Sequence, residues 1–552
     1  MRTTQDTQAL PPPRVAIIGA GVGGLTLAIK LKQQLGYDNF TIFEKGHDVG
    51  GTWRDHTYPG CSSDVPMVTY SLSTEKHDWT HSHGFSPSIL AYWQELATKY
   101  NLHPHIRLDT VVTSATWDDA TKVYHIALEN VKTGEASVFE AEVLVSAIGL
   151  LEVPRLAQIQ GRDNFKGEMW HSARWPSDGE ERLRGKRVAV IGNGASATQF
   201  VPCITEDPTV RVTEFCRTPN WFLPPIRIEY SATRRWIFKY VPFVQRFWRC
   251  VMYWRQELFY LMIFGNNTLH GLSTKMTTYY IKSAAPKELH EELIPKYPLG
   301  CKRVIFDTDF LKALYRPNLD LNWDGVGQIV EDGIVTQKGE KIPFDVIIFA
   351  TGYATDQFPL KVRGIQGPIQ DYFAEKNGPQ AYRGTAFPGF PNFFTIFGPG
   401  AGSGHTSVVF TNETQSNYII QLIKPILTRN VATVEVRHEP TDEYNEMIQK
   451  RLARTVFTSC QSWYRVGGSG KISSIFPGCT TVFWLSLRKP KWADYTGLGL
   501  EEWLQRRRRQ NIFKWTVTMI LVLGVVGTAG VVLRRNGVLA TLKETWKRLR
   551  SA

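Results

Sequence analysis

One pattern constrains this chain more than any other, and it occurs twice, at Gly19 and again at Gly192. In each instance a short apolar run meets a glycine turn and then a segment of helical periodicity. The first run, RVAIIG (14–19), enters Gly19-Ala20-Gly21-Val22-Gly23-Gly24 and continues as LTLAIKLKQQ. A strand leading through GxGxxG into a helix brings backbone N–H groups close to a pyrophosphate, and the helix N-terminus attracts the negative charge. The next strand, FTIFEK, ends in Glu44, twenty residues beyond Gly24. A carboxylate at that offset accepts hydrogen bonds from an adenosine ribose. Gly19, Gly21, Gly24 and Glu44 are therefore candidate contacts of a first dinucleotide.

The second run, RVAVIG (187–192), enters Gly192-Asn193-Gly194-Ala195-Ser196-Ala197, with alanine in the third glycine position and Thr198 following. Twenty residues beyond Ala197 stands Arg217, followed by Thr218. A carboxylate suits a free 2′-hydroxyl, whereas an arginine fork suits a 2′-phosphate. The first unit thus reads as an FAD site and the second as an NADPH site. The plainer reading of Arg217 is a solvated charge at a strand end.

A third apolar strand, FDVIIFATGY (344–353), marks a return from the second unit to the first, and VLVSAIG (143–149) sits where the chain first leaves. At 552 residues the chain is too long for one compact core. The expected order is an FAD part over 1–160, an NADPH part over 161–225, a helical insert over 226–300, an NADPH part over 301–352 and an FAD part over 353–505. The fold class expected is α/β, with two Rossmann-like dinucleotide-binding domains, a helical insert and a C-terminal transmembrane helix.

The net charge of +13 is concentrated at one end. Residues 506–552 carry eleven Lys/Arg against one acid, Glu544, so a nucleic-acid surface on the globular part is not implied. Within this tail Trp515–Leu533 is a run of nineteen residues without a charge. As a helix it would rise about 28 Å, close to the roughly 30 Å hydrocarbon core of a bilayer. A transmembrane helix over about 513–533 is the expectation, with basic flanks on lipid headgroups. A buried core helix is the competing reading. No apolar signal core opens the chain, so a single-pass C-terminal anchor with a cytosolic catalytic body is expected, in the endoplasmic reticulum. Seven cysteines show no CxxC or other metal-ligand spacing, and the odd, scattered set suits a reducing compartment better than a disulfide framework. No metal site is expected. Residues 236–264 are crowded with aromatics but interrupted by Lys239, Arg246, Arg249, Arg255 and Glu257. They read as amphipathic helices, either a packed cap or an apolar substrate mouth touching the membrane.

Residues 165–176 read Phe-Lys-Gly-Glu-Met-Trp-His-Ser-Ala-Arg-Trp-Pro, matching FxGxxxHxxxWP. The chain resembles in this the Baeyer–Villiger monooxygenases of the FAD/NADPH flavin-containing monooxygenase superfamily, and specifically those of secondary metabolism. Gly50-Gly51-Thr52-Trp53, Tyr58-Pro59-Gly60 and Asp64 resemble that family's second flavin segment, and Tyr70 and Val112 fall where FAD is lined. Lys302 and Arg303, in GCKRVIFDT, resemble its basic pair. Cys460–Tyr464, followed by Gly470-Lys471, resembles its nicotinamide-capping segment, with Trp463 as the cap. One departure is Cys61-Ser62-Ser63, where the family often has arginine before the aspartate.

The resemblance implies that NADPH reduces FAD and that molecular oxygen, activated there, is inserted beside a ketone carbonyl to give an ester or lactone. Negative charge then develops on oxygen, so a fixed cation should stabilise it, the role implied for Arg303. Asp64 would orient Arg303, and Lys302 with Arg217 and Thr218 would hold the 2′-phosphate. An ordinary exposed dibasic is the plainer reading of the Lys302-Arg303 pair. His171 is implied to be an interdomain hinge rather than an acid or base. A flavin hydroxylase or epoxidase remains the alternative, as does a scaffold retaining FAD without turnover. A disulfide reductase would need a dithiol beside the flavin, which the cysteine spacing lacks. The implied substrate is a lipophilic ketone of polyketide or terpenoid type.

Overall fold

The structure, a computed structural model, describes residues 11–265, 267–535 and 538–551. Two five-stranded parallel sheets organise it. The first runs Phe393–Thr395, Val143–Ser146, Val15–Ile18, Phe40–Phe43, Ile106–Arg107. The second runs Leu319–Asn322, Arg211–Phe215, Arg187–Ile191, Val346–Phe349, Glu168–His171. In both, the strand that feeds a glycine turn is central, with the next strand on one side and a later strand on the other. Ligands of such sheets bind beyond the C-terminal strand ends, where the connections part to opposite sides.

The sequence explains the layers. Val15–Ile18 is buried throughout, as a strand covered on both faces must be. Side chains alternate across a strand. Val15 and Ile17 pack with the helices Val22–Leu35 and Val408–Leu427, while Ala16 and Ile18 pack with Ala115, Tyr124 and Ile126 of a smaller, mostly antiparallel sheet.

The aromatic-rich region forms helices Ala232–Tyr240, Val244–Tyr260 and Asn267–Ala284, with a π-helical turn at Leu261–Gly265. One face of Val244–Tyr260 is tied to the body. Gln245 donates to the His77 carbonyl at 2.8 Å, and Arg249 donates to the carbonyls of Val68 (2.7 Å) and Ser71 (2.9 Å). Glu257 accepts from the Thr480 and Thr481 backbone N–H groups at 3.0 and 3.2 Å and lies 3.2 Å from His405. Burial alone would raise the Glu257 pKa, yet the bonds from His405 and Thr481 hold it down to about 2. Positions 245, 249 and 257 share a helical face, so two of the charges that interrupt the apolar pattern, Arg249 and Glu257, are anchors. On the opposite face Phe247 is 70% exposed, with Trp254 and Leu258 also open.

Two expectations are corrected. Among the described residues no helix is long and apolar enough to cross a membrane, so the transmembrane helix and the membrane localisation drawn from it do not stand. The run expected to span belongs to the helix Leu500–Arg535, whose first half carries Arg506–Arg509 and Lys514. The charge-free run 515–533 lies inside this helix, and most of its side chains beyond 523 fall outside those described. The cysteines are also not all thiols: Cys301 and Cys460, 159 residues apart, form a disulfide with Cα atoms 6.1 Å apart, and five cysteines are free. Spacing along the chain could not reveal a pair that only the tertiary fold brings within bridging distance.

Glu214, on strand Arg211–Phe215, is fully buried, and neither carboxyl oxygen meets a hydrogen-bond partner among the described residues. Burial raises its pKa to about 8. A carboxyl whose folded pKa is raised contributes its full stability below the unfolded value. That contribution is lost as pH rises through the folded value, at roughly 1.4 kcal/mol for each tenfold fall in proton concentration between the two. Glu214→Gln should therefore gain in melting temperature over the parent as pH rises from about 4.5 to about 8, with the gap flat above that. A gap independent of pH would show that Glu214 does not titrate in this window.

Candidate active site

At the first glycine turn the backbone itself makes the cradle. Gly19 adopts φ +101°, and a Cβ there would stand 2.9 Å from the Ala147 carbonyl. A Cβ on Gly24 would lie 1.9 Å from the Gly19 carbonyl, so helix and strand approach as closely as the third glycine allows. Gly51 faces Gly21: it has φ +55°, and a Cβ would meet the Gly21 Cα at 2.8 Å. Glu44 is buried beside this turn and accepts from the N–H groups of Ala20 and Gly46, each at 2.8 Å. Thr52 and Trp53 open the short helix after Gly51, and Trp53 donates through Nε1 to the Tyr70 hydroxyl at 3.1 Å. Val112 lies on strand Thr110–Asp118, whose first residue donates to the Glu44 carbonyl at 2.9 Å.

The second turn is more open. A Cβ on Gly192 would meet the Ala350 carbonyl at 2.6 Å, but one on Gly194 would meet nothing within 4 Å. Ala195 and Ser196 lead into the helix Ala197–Ile204, and Thr198 donates back to the Ala195 carbonyl at 3.1 Å. The Asn193 amide donates to the Thr218 carbonyl at 2.9 Å, and Lys302 donates to the Thr218 hydroxyl at 2.6 Å. Burial lowers the Lys302 pKa, and neighbouring Arg217, itself exposed, lowers it further. Two cations and a hydroxyl beside a glycine turn form a donor set that an anion would neutralise.

Arg303 reaches across to the flavin-side segment and pairs with Asp64. The Asp64 carboxylate, outweighing the cost of burial, raises the Arg303 pKa, so the guanidinium stays charged at every working pH. Tyr70 and Tyr464 lie within electrostatic reach of the same guanidinium. Trp463 is 38% exposed, and its carbonyl accepts from the Thr355 hydroxyl at 2.8 Å. A shallow cleft opens where the chain crosses between the sheets, lined by Ile148, Val153, Ala354, Phe358, Ile396 and Phe397 among others.

Residues 12–230 match the model of the family described as flavin-binding monooxygenase-like. A Baeyer-Villiger monooxygenase of Pseudomonas aeruginosa is 36% identical over 478 residues, covering 85% of this chain and 88% of that protein. The FAD-binding monooxygenase ktnD of Aspergillus niger is 33% identical over 552 residues, covering 97% and 90%. Among solved structures, OTEMO in complex with FAD and NADP superposes with a TM-score of 0.77 at 25% identity, covering 88% of this chain and 99% of that one. An oxidized steroid monooxygenase bound to NADP gives 0.76 at 26% identity with the same coverage.

The chain belongs to the flavin-binding monooxygenases.

Within this monooxygenase the FxGxxxHxxxWP stretch supplies strand Glu168–His171, the edge of the second sheet. His171 accepts from the Ala173 N–H at 3.1 Å, and burial lowers its pKa to about 4, so it is neutral near pH 7. Its ring lies 5.9 Å from that of Tyr353, whose hydroxyl meets His56 at 2.7 Å, forming a chain of rings from one sheet toward the other.

Sequence reasoning misses two residues of this region. Arg54 folds back onto Glu44 at 2.9 Å, and its place directly after the GGTW segment is the available signal. Arg227 donates to the Ser62 hydroxyl at 2.6 Å and lies 4.0 Å from the Phe85 ring centre. It brings a guanidinium to the Cys61-Ser62-Ser63 loop from 165 residues away, and no local pattern announces it.

Gly51→Ala tests the cradle. With φ positive and the Gly21 backbone in the way, the added methyl must displace the turn. The variant should be purified with at least tenfold less flavin per chain, read from absorbance after denaturation. Full flavin content would mean that the Gly21–Gly51 approach is not part of the flavin site.

Proposed function

We propose that this monooxygenase consumes NADPH to reduce a bound FAD and inserts one oxygen atom beside the carbonyl of a lipophilic ketone, releasing an ester or lactone. The observation that carries the reading is Arg303: a permanently charged guanidinium, fixed by Asp64 at the junction of the flavin-side and nicotinamide-side segments.

In this reading Gly19, Gly21, Gly24, Gly51, Thr52, Trp53, Tyr70 and Val112 hold FAD, with Glu44 at its ribose. Gly192, Asn193, Gly194, Ala195, Ser196, Ala197 and Thr198 hold the NADPH pyrophosphate, and Arg217, Thr218 and Lys302 its 2′-phosphate. The narrow cradle at Gly21–Gly51 and the cationic set beside Gly194 fit these groups. Reduced FAD, when bound, supplies the activation of molecular oxygen. Arg303 donates hydrogen bonds to oxygen atoms that gain negative charge during insertion, and Asp64 fixes its planar fork and keeps it from turning to solvent. Trp463 caps the nicotinamide from the 460–464 segment.

Ile263 and Phe264, in the π-helical turn, pack on Gly300 just ahead of Cys301-Lys302-Arg303, and Phe264 stacks near Phe457 at 4.9 Å. These side chains put an apolar wall beside the charged group. That wall suits a lipophilic substrate.

Arg303→Ala should keep its FAD but lose ester formation by about 10²–10³, roughly 2.7–4 kcal/mol, the usual cost of losing one preorganised donor. NADPH oxidation should continue and release hydrogen peroxide. Product by mass spectrometry and peroxide by a coupled assay decide it: unchanged ester yield removes Arg303 from the mechanism. A parent enzyme that returns hydroxylated or epoxidised product from a panel of lipophilic ketones and alkenes would replace the insertion reading. Arg217→Ala should raise KM for NADPH at least tenfold and leave KM for NADH unchanged. A parent enzyme indifferent between the coenzymes would overturn the assignment of the second glycine turn.

A further inference from the structure

Cys301 and Cys460 occupy positions that a randomly placed structural disulfide would not be expected to share. Cys301 directly precedes Lys302 and Arg303, and Cys460 is three residues ahead of Trp463. The two come from segments 159 residues apart, with Cα atoms separated by 6.1 Å. Three residues of chain reach at most about 11 Å, so the bond limits how far the 460–464 segment can move from the basic pair.

The hydrogen bonds of that segment point elsewhere. The Trp463 carbonyl accepts from Thr355, and the Gly467 N–H donates to Asp356 at 3.0 Å, both on the strand-end crossing near 355. Arg465 donates to the carbonyls of Gly470 (2.9 Å) and Thr458 (3.0 Å), closing the loop on itself. These are hydrogen bonds at exposed or half-buried sites, each worth little in water. The sulfur bridge is the covalent link between the loop and the segment bearing Lys302 and Arg303.

We propose that Cys301–Cys460 is a redox-operated clasp that positions the 460–464 segment over the nicotinamide site, and that its reduction loosens the enzyme's hold on NADP(H). The proposal rests on the reading of that segment as the nicotinamide cap. Cys301 is buried and Cys460 half-buried, so Cys460 is the sulfur that meets an oxidant. Hydrogen peroxide, formed when NADPH oxidation passes its two electrons to oxygen without a substrate, closes the clasp. The Cys460 thiol takes one peroxide oxygen as a sulfenic acid with release of water. Cys301 sulfur then attacks Cys460 sulfur, the S–O bond breaks and a second water leaves with the remaining thiol proton. A thiol reductant reverses the change by exchange.

The test uses the full-length, FAD-replete enzyme. After peroxide, denaturing thiol titration should find five thiols per chain, and after dithiothreitol, seven. NADP+ release, followed by stopped-flow flavin absorbance, should be about tenfold faster in the reduced form and return to the slow rate after peroxide. KM for NADPH should rise with it, while kcat for NADPH oxidation stays within twofold. Cys301→Ser, Cys460→Ser and the double variant should release NADP+ at the reduced rate and ignore dithiothreitol, which a purely structural bond would not produce. Seven thiols after peroxide, or equal release rates from the five-thiol and seven-thiol forms, would overturn the proposal. Because NADP+ release needs no ketone, a failure to form esters leaves this test intact. Enzyme that binds no NADP+ in either redox state sinks both the clasp and the coenzyme assignment.

Discussion

In the proposed reaction the Asp64–Arg303 ion pair is the interaction on which the site depends, because it joins the loop after the GGTW segment to the segment after the insert, 239 residues away. A surface pair of this kind contributes little to stability. Its consequence here is positional: the carboxylate holds a charged, planar donor group at the seam between the two glycine-turn units. Each unit places its own ligand beyond its own strand ends, and chemistry between two ligands needs a group that both units reach. Arg303 is brought there by the segment following the insert, and Asp64 by the loop following the first unit's GGTW segment.

The insert must keep a fixed relation to that seam, and buried charges secure it. Lys30 pairs with Glu413 at 3.2 Å, both side chains being less than a tenth exposed, and Arg249 approaches the same carboxylate at 3.6 Å. Glu257 sits two turns further along and ties the helix to Thr480 and Thr481. Replacing such groups with apolar ones can be neutral or stabilising, but removing one partner leaves a buried charge uncompensated. Any shift of the helix would therefore strand Glu257 and take one of two cations from Glu413, which favours a single seating of the insert. The π-helical turn at its end then holds Ile263 and Phe264 against Gly300.

The legible parts of the sequence are those where chemistry is local. Each glycine turn, its strand and its offset residue lie within about thirty residues, and the apolar runs are those of strands buried on both faces. Lys302 and Thr218 could be joined only through the family resemblance, though their 2.6 Å contact crosses 84 residues. Arg227 and the Cys301–Cys460 bond are not legible, because their meaning depends on a partner chosen by tertiary packing. The tail misleads for a related reason: hydropathy treats 515–533 as a unit, whereas the structure sets its described residues in one longer helix with a strongly basic start.

The two glycine turns differ most in how their surrounding charge is balanced. At the first, Glu44 is already neutralised: two backbone N–H groups and Arg54 satisfy it, and Arg54 is paired with Asp55 as well. A ligand arriving there meets a closed hydrogen-bonding set whose carboxylate is already engaged, which suits a ribose and selects by shape. At the second, the charge that Lys302 feels is another cation, and its pKa falls because burial and Arg217 both oppose its proton. A dianionic phosphate entering that set relieves the repulsion and restores the lysine's affinity for its proton, so binding there is cooperative with charge rather than with shape. Under the proposed assignment, that asymmetry is a physical basis for a shape-selected flavin beside a phosphate-selected coenzyme.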